Sequence, residues 1–164
     1  MLRIGRSAAL IALAAGGGCS SIASQAPSGV VRELGDVIVT SNLQSAGQTT
    51  GVSGTVRVID LPGTSDMQIQ VEANGLPAGG HAWHIHTGTC QQPGAIVVPF
   101  TPVGQREGLD EPITADANGR ATEDGPIPSS MLTQEQMAAN PHIVNIHANP
   151  GASPGGAVAC APLR

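Results

Sequence analysis

Two histidines, His84 and His86, are separated by a single residue in a segment with the composition of a β-strand. Successive side chains of a strand point to opposite faces, so both imidazoles share one face while Trp83 and Ile85 share the other. The two histidines are roughly 7 Å apart along the backbone, close enough for both rings to reach one ion. His147 adds a third imidazole at the end of a second strand-like run. Neutral imidazoles are good ligands for copper and zinc, so the spacing predicts a three-histidine metal site.

The alternative for these three side chains is that they are solvated or hydrogen-bonded within the protein and hold no ion. Three histidines and a water would also describe a catalytic zinc site, so the residues alone do not choose between copper and zinc. His81 has the same parity as Trp83, which predicts a core position and a structural hydrogen bond to the backbone. His142 begins its strand with parity opposite to that of His147, which predicts a surface histidine rather than a ligand.

A sheet must position these histidines, and alternating apolar and polar residues predict several short strands. Only one helix is expected, over residues 133–140, where a threonine and a glutamine three positions later fit a capping box before a proline. The tetrapeptide Asp116–Gly119 is typical of a hairpin turn. This pattern predicts an all-β antiparallel sandwich or barrel. Besides the histidine strand, strands are predicted at 36–40, 52–61, 66–73, 95–100, 142–148 and 156–161.

The N-terminus has the layout of an export signal. Arg3 and Arg6 precede the short apolar run Ala8–Ala15, and small residues then lead to Cys19. This arrangement predicts a lipoprotein signal with lipid on Cys19, and hence a membrane anchor and a periplasmic or cell-envelope location. Gly16 stands where an aliphatic residue is usual, so a plain secretory signal is the alternative. The predicted organisation is a signal peptide (1–18), a flexible tether (19–34) and one β-sandwich domain (35–164).

Charge and composition exclude some partners. The chain has 164 residues with a net charge of −5, and it contains no lysine. Residues 19–164 hold five arginines and all twelve acidic residues, a formal charge of −7. A negative surface argues against nucleic-acid partners, and it does not help to attract a small anion.

The three cysteines are consistent with export. If Cys19 carries lipid, Cys90 and Cys160 remain as an even pair. Exported proteins meet an oxidising compartment, where such a pair normally forms a disulfide. The alternative is two buried thiols.

Residues 81–90 (HAWHIHTGTC) resemble the copper-binding strand of copper–zinc superoxide dismutases. In that family a first, structural histidine precedes two copper ligands. The resemblance therefore implies a structural role for His81 and copper binding by His84 and His86. It also matches His147 to a further copper ligand, and it implies a Greek-key β-sandwich with copper as the cofactor and superoxide as a substrate.

Two further segments, 113–121 and 158–160, are similar to the family's segment before the metal-site loop and to its C-terminal half-cystine. The match implies that Cys90 is the disulfide partner. The departures concern catalysis. Residues 91–141 contain no histidine, so the zinc site and the histidine that bridges the two metals are missing. Ala157 stands where the family has an arginine that attracts superoxide.

The chain also resembles the CHRD (chordin-type) module. That family has an A-x-HIH-x-G run, a glycine-led apolar strand, an L-T-x-x-x-x-A helix start and a Y-V-N-x-H tail followed by P-G-G. Ile143 replaces the tyrosine, and the spacing to the final glycines is longer than usual. Both resemblances imply the same β-sandwich. The matching segments are Ala82–Gly88, Gly94–Val98, Leu132–Ala138 and Ile143–Gly156.

These observations lead to three hypotheses for function. The first is an exported copper-binding domain of superoxide dismutase-like or CHRD type, with weak or no dismutase activity. The second is a non-catalytic periplasmic copper carrier or buffer that uses the same ligands. The third is a metal-free CHRD-like structural or interaction module whose histidines are hydrogen-bonded internally. Metal content separates the third hypothesis from the others, and a superoxide assay separates the first two.

Overall fold

The computed structural model describes residues 35–164; the predicted signal peptide, the tether and Cys19 lie outside the described residues. Ten β-strands and one short helix follow one another along the described part. No helix within it is long and apolar enough to cross a membrane. The elements are β1 Val37–Ser45, β2 Ser53–Asp60, β3 Met67–Asn74, β4 Gly79–His81, β5 Trp83–Thr89, β6 Gln92–Pro99, β7 Ile113–Ala115, β8 Ala121–Ile127, α1 Gln134–Ala139, β9 His142–His147 and β10 Ala157–Pro162.

Eight of these strands form one curled antiparallel sheet, in the spatial order β6-β5-β9-β10-β1-β2-β3-β8. Strands β1, β2 and β3 are neighbours both in sequence and in space. The chain then crosses to the far end of the sheet to form β5 and β6, and it returns to place β8 beside β3. Strands β9 and β10 fill the space between the two halves. The predicted Greek-key β-fold with one short helix is therefore confirmed.

The core side of the sheet follows from the alternation of residue types. Strand β3 buries Met67, Ile69, Val71 and Ala73, while the residues between them are partly or fully exposed. Each buried aliphatic side chain of this size contributes roughly 1.5–3 kcal/mol to folding. A slip of one residue in the register would turn this apolar set to solvent, so the alternation fixes the pairing of β3 with its two neighbours.

Strand β5 is internal to the sheet, because it pairs with β6 on one side and with β9 on the other. Trp83 and Ile85 are fully buried in the core. The Trp83 ring stacks on Phe100, with ring centroids 3.8 Å apart and an interplanar angle of 15°. Because side chains alternate along a strand, His84 and His86 lie on the opposite face.

The helix begins with the predicted capping box. The Thr133 hydroxyl accepts a hydrogen bond from the Gln136 N–H at 3.2 Å, and the Gln136 side chain accepts one from the Thr133 N–H at 2.9 Å. Met137 is the buried residue of the helix. The helix is capped at Asn140, immediately before Pro141, because the residue before a proline is pushed out of the helical region.

The turn predicted at Asp116–Gly119 is present, and Gly119 adopts a positive φ of 75°. The Gly119 N–H donates to the Asp116 carbonyl at 2.9 Å. The hairpin prediction needs one correction, because the strands beside this turn belong to different sheets. Strand β8 pairs with β3 along all seven of its residues, and β7 pairs with β4 in a separate two-stranded sheet.

Cys90 and Cys160 form a disulfide, with their Cα atoms 5.9 Å apart and 70 residues apart in sequence. A bridge across a loop of this length restricts the unfolded chain strongly. We expect the double variant Cys90→Ala, Cys160→Ala to lose about 4 kcal/mol in its free energy of unfolding, measured by urea denaturation under oxidising conditions. Under reducing conditions the wild type should approach the variant. Equal stabilities under oxidising conditions would show that the disulfide does not constrain the fold in this way.

Candidate metal centre

The structure brings three of the five histidines together. His84, His86 and His147 each offer one ring nitrogen, and these atoms all lie within 4.8 Å of one another. The ring centroids are 5.9 Å apart for His84 and His86, 5.0 Å for His84 and His147, and 5.8 Å for His86 and His147. In residues 35–164 this is the one group of histidine, cysteine or acidic side chains with the proximity of metal ligands.

The sheet explains why these rings meet. His84 and His86 lie two residues apart on β5, and His147 ends β9, the neighbour of β5. The His147 N–H donates to the Ala82 carbonyl at 2.8 Å, which fixes the end of β9 beside the start of β5. All three side chains are buried, with exposed fractions of 0%, 8% and 8% in chain order. The group therefore lies just below the surface on the sheet face opposite Trp83.

Each ring is oriented by one hydrogen bond from its other nitrogen. Nδ1 of His86 lies 3.1 Å from the Gly94 carbonyl, and Nδ1 of His147 lies 2.9 Å from the Gly155 carbonyl. A carbonyl only accepts, so in both rings Nδ1 carries the proton and Nε2 has the free lone pair.

The His84 ring is held through Nε2 rather than through Nδ1. Its Nε2 lies 3.0 Å from the Thr101 hydroxyl oxygen. That hydroxyl accepts from the Trp83 N–H at 3.1 Å and lies 3.4 Å from the Trp83 carbonyl. With the hydroxyl proton directed to this carbonyl, Nε2 of His84 carries a proton and the lone pair is on Nδ1.

The three remaining nitrogens have no partner. His84 Nδ1, His86 Nε2 and His147 Nε2 are all buried and lack a hydrogen bond. Buried polar atoms without partners are rare in native proteins, and a bound ion is one explanation for them. Here each unpaired atom is a lone-pair donor, each belongs to a ring fixed through its other nitrogen, and the three residues are those whose ring nitrogens lie within 4.8 Å of one another. This is how metal-binding histidines are held in proteins, so the residues fit a metal ion.

Burial keeps these rings neutral. Desolvation, followed by repulsion from His147 and His86, lowers the pKa of His84 to about 4. Burial also lowers the pKa of His86 and of His147, although hydrogen bonds to the Gly94 and Gly155 carbonyls partly oppose the shift. All three lone pairs are therefore available at neutral pH.

The other two histidines lie apart from this group. His81 is buried, and its ring nitrogens lie 2.7 Å from the His147 carbonyl and 2.7 Å from the Pro77 carbonyl. The surface position predicted for His142 is wrong: it is 4% exposed, and its Nδ1 contacts the Asn140 carbonyl at 2.9 Å. The reason is that both faces of β9 are covered, since all six of its residues are buried.

The groups that orient the rings were not predicted. Thr101 follows an apolar strand and has no sequence signal that connects it to His84. The Gly94 and Gly155 carbonyls are backbone atoms, which no side-chain pattern reports. The structure shows why position 94 requires a glycine, because a Cβ there would collide with the Thr87 hydroxyl. The absence of a side chain lets β6 approach β5 closely enough for the Gly94 carbonyl to reach His86.

Comparison with known proteins identifies the family. The family model described as the CHRD domain matches residues 37–159, which is most of the chain. The chain belongs to the CHRD domain family. The match contains all three residues of the histidine group and all ten strands at least in part. None of the curated proteins matches this CHRD domain sequence.

The fold of this CHRD domain is also found in a solved structure. It is similar to "Cu/Zn superoxide dismutase from Brucella abortus", with 18% sequence identity and a TM-score of 0.51. The alignment covers 77% of this chain and 99% of that one. At this level of identity the similarity concerns the fold. The predicted resemblance is therefore confirmed at the level of family for the CHRD module and at the level of fold for the superoxide dismutases.

Proposed function

We propose that this CHRD domain binds one copper ion through His84 Nδ1, His86 Nε2 and His147 Nε2. The observation that carries the proposal is a group of three buried histidines, each with one ring nitrogen within 4.8 Å of those of the other two and each with one buried ring nitrogen that has no partner. Copper is proposed over zinc because the three histidines match copper ligands in the resemblance to copper–zinc superoxide dismutases, and imidazole is a suitable ligand for copper. The solved structure with the same fold is named a Cu/Zn superoxide dismutase. A copper ion in such a site supplies one-electron redox chemistry.

The chain's own residues define what this site does. The three rings are neutral, so they bring no negative charge to offset the positive charge of a metal ion. The Gly94 and Gly155 carbonyls and the Thr101 hydroxyl hold the ring planes in place. The positive field of Arg106 reaches His84, and the guanidinium is held by the Ile96 carbonyl at 3.4 Å. This is one cation against an acidic chain, so we propose slow superoxide dismutation or none. A copper carrier or buffer would use the same ligands.

The test is metal analysis of the full chain after its maturation in a copper-supplemented periplasm. We expect one copper per chain and an acceleration of superoxide decay far below the diffusion limit of roughly 10⁸–10⁹ M⁻¹s⁻¹. Copper without any acceleration would favour the carrier. Protein that remains metal-free with both copper and zinc supplied would contradict the proposal and leave the metal-free module.

We also propose that the protein is exported and anchored by lipid on Cys19. The support is the arrangement of residues 1–19 together with the Cys90–Cys160 disulfide, because structural disulfides belong to oxidising compartments. Labelling of cells with a radioactive fatty acid should mark the wild type and not Cys19→Ala. Equal labelling of the two would exclude this anchor.

A further inference from the structure

Asn145 lies on the same face of the sheet as the three histidines. It is the cross-strand partner of His84 and precedes His147 by two residues on β9. Directly opposed residues of an antiparallel pair have their Cβ atoms about 4.5–5.5 Å apart, so the amide lies beside the His84 ring. Only 3% of Asn145 is exposed, and its Oδ1 is buried without a hydrogen-bond partner.

The residues that the strand registers place beside Asn145 offer no proton to this oxygen. The His84 Nε2–H is used by Thr101, and the His147 Nδ1–H is used by the Gly155 carbonyl. On the other side, β10 places Cys160 opposite Asn145, and its sulfur is in the disulfide and has no S–H. A buried carbonyl without a donor destabilises the folded state. A donor from outside the protein chain would satisfy it.

Four of the five buried polar side-chain atoms that lack partners in residues 35–164 lie on this one face of β5 and β9. All four are acceptors or lone-pair donors. One cation accounts for the three ring nitrogens. A water bound to that cation has hydrogens to donate, and it accounts for the oxygen. The four atoms are His84 Nδ1, His86 Nε2, His147 Nε2 and Asn145 Oδ1.

We propose that Asn145 is a positioning residue of the metal centre, whose side-chain oxygen accepts a hydrogen bond from the water in the position that the three histidines leave open. This inference rests on the proposed copper site and deepens it. An acceptor at this place favours an exogenous ligand with a hydrogen to donate. It disfavours a small anion, which has none. Asn145 therefore determines which ligands replace the water.

The test is a titration with azide, an anionic ligand without hydrogen, of the full-length protein loaded with Cu(II). Binding is followed by the azide-to-copper charge-transfer absorption. In Asn145→Leu the water loses its acceptor, so we expect azide to bind about five- to tenfold more tightly, the equivalent of one hydrogen bond. In Asn145→Asp a carboxylate holds the water more strongly and repels the anion, so azide should bind at least about tenfold more weakly. Asn74→Leu, an exposed asparagine on β3, is the control and should match the wild type.

Copper stoichiometry distinguishes failure of this inference from failure of the copper site. If the wild type and the variants hold one copper each, and azide affinity is equal in all of them or weaker in Asn145→Leu, the role of Asn145 is refuted while the site stands. If the wild type holds no copper, the site itself is refuted. If the variants fail to fold, electron–nuclear double resonance of the wild type tests the inference. Comparison of spectra in H₂O and D₂O identifies the exchangeable protons that are coupled to copper. The inference requires strongly coupled exchangeable protons of a copper-bound water, in addition to the more weakly coupled ring N–H protons, and their absence overturns it.

Discussion

Replacement of His147 by glutamine is expected to lower the affinity for copper by about a hundred- to a thousandfold. Structural metal sites with four ligands bind with roughly 10–16 kcal/mol, so one ligand accounts for roughly 3–4 kcal/mol. His147 is the one ligand from β9, and without it the remaining two rings both belong to β5. We would measure the affinity by competition with a chelator of known copper affinity.

His142→Gln is the matched control for this variant. Both histidines are on β9, both are buried, and both direct Nδ1 to a backbone carbonyl. The control removes the same group from the same strand, and it should keep the copper affinity of the wild type within about twofold. An affinity for His147→Gln that equals that of the control would contradict the three-histidine site. Circular dichroism of both variants would confirm that the fold is retained.

Acid is expected to release copper over a narrow pH range and to destabilise the metal-free protein. The pKa of His84 is about 4 in the folded protein, below its ordinary value of 6.5. Between these two values the unfolded chain binds more protons than the folded one. The free energy of unfolding therefore falls as the pH is lowered through this window. The loss attributable to His84 is at most about 3 kcal/mol, and the lowered pKa values of His86 and His147 act in the same direction.

Bound copper should change how the free energy of unfolding depends on pH. A copper ion that occupies the lone pairs must be displaced before the rings take up protons. Once all three rings compete with protons, the apparent affinity should fall by up to about a thousandfold per pH unit. Urea denaturation from pH 4 to pH 7, with and without copper, measures both effects. We expect copper to stabilise the protein more strongly at pH 7 than near pH 4. Stability of the metal-free protein that is independent of pH across this window would contradict the burial of neutral rings.

The period-2 alternation of residue types was sufficient to predict much of the fold. Strand β3 shows this most clearly, since its buried residues are the alternating apolar ones. The same alternation placed His84 and His86 on one face and Trp83 on the other. It could not show that all of β9 is covered, because burial of both faces depends on neighbouring strands that are distant in sequence. His142 was misplaced for this reason.

The atoms that complete the metal centre could not be predicted for a related reason. The Gly94 and Gly155 carbonyls reach the rings only because β6 and the segment before β10 fold back against the histidine strands. The registers of β5 with β6 and of β9 with β10 are also interrupted by irregularities near these contacts. Asn145 has a clear position in sequence, two residues before His147. Its unpartnered oxygen, however, is a property of the packed structure.

The most direct measurement is anomalous diffraction at the copper edge from crystals of the copper-loaded protein. We predict one strong peak per chain within about 2 Å of His84 Nδ1, His86 Nε2 and His147 Nε2, the usual length of a bond from such a metal to histidine nitrogen. A fully loaded crystal with no peak between these three atoms, or with copper bound elsewhere on the molecule, would contradict the account.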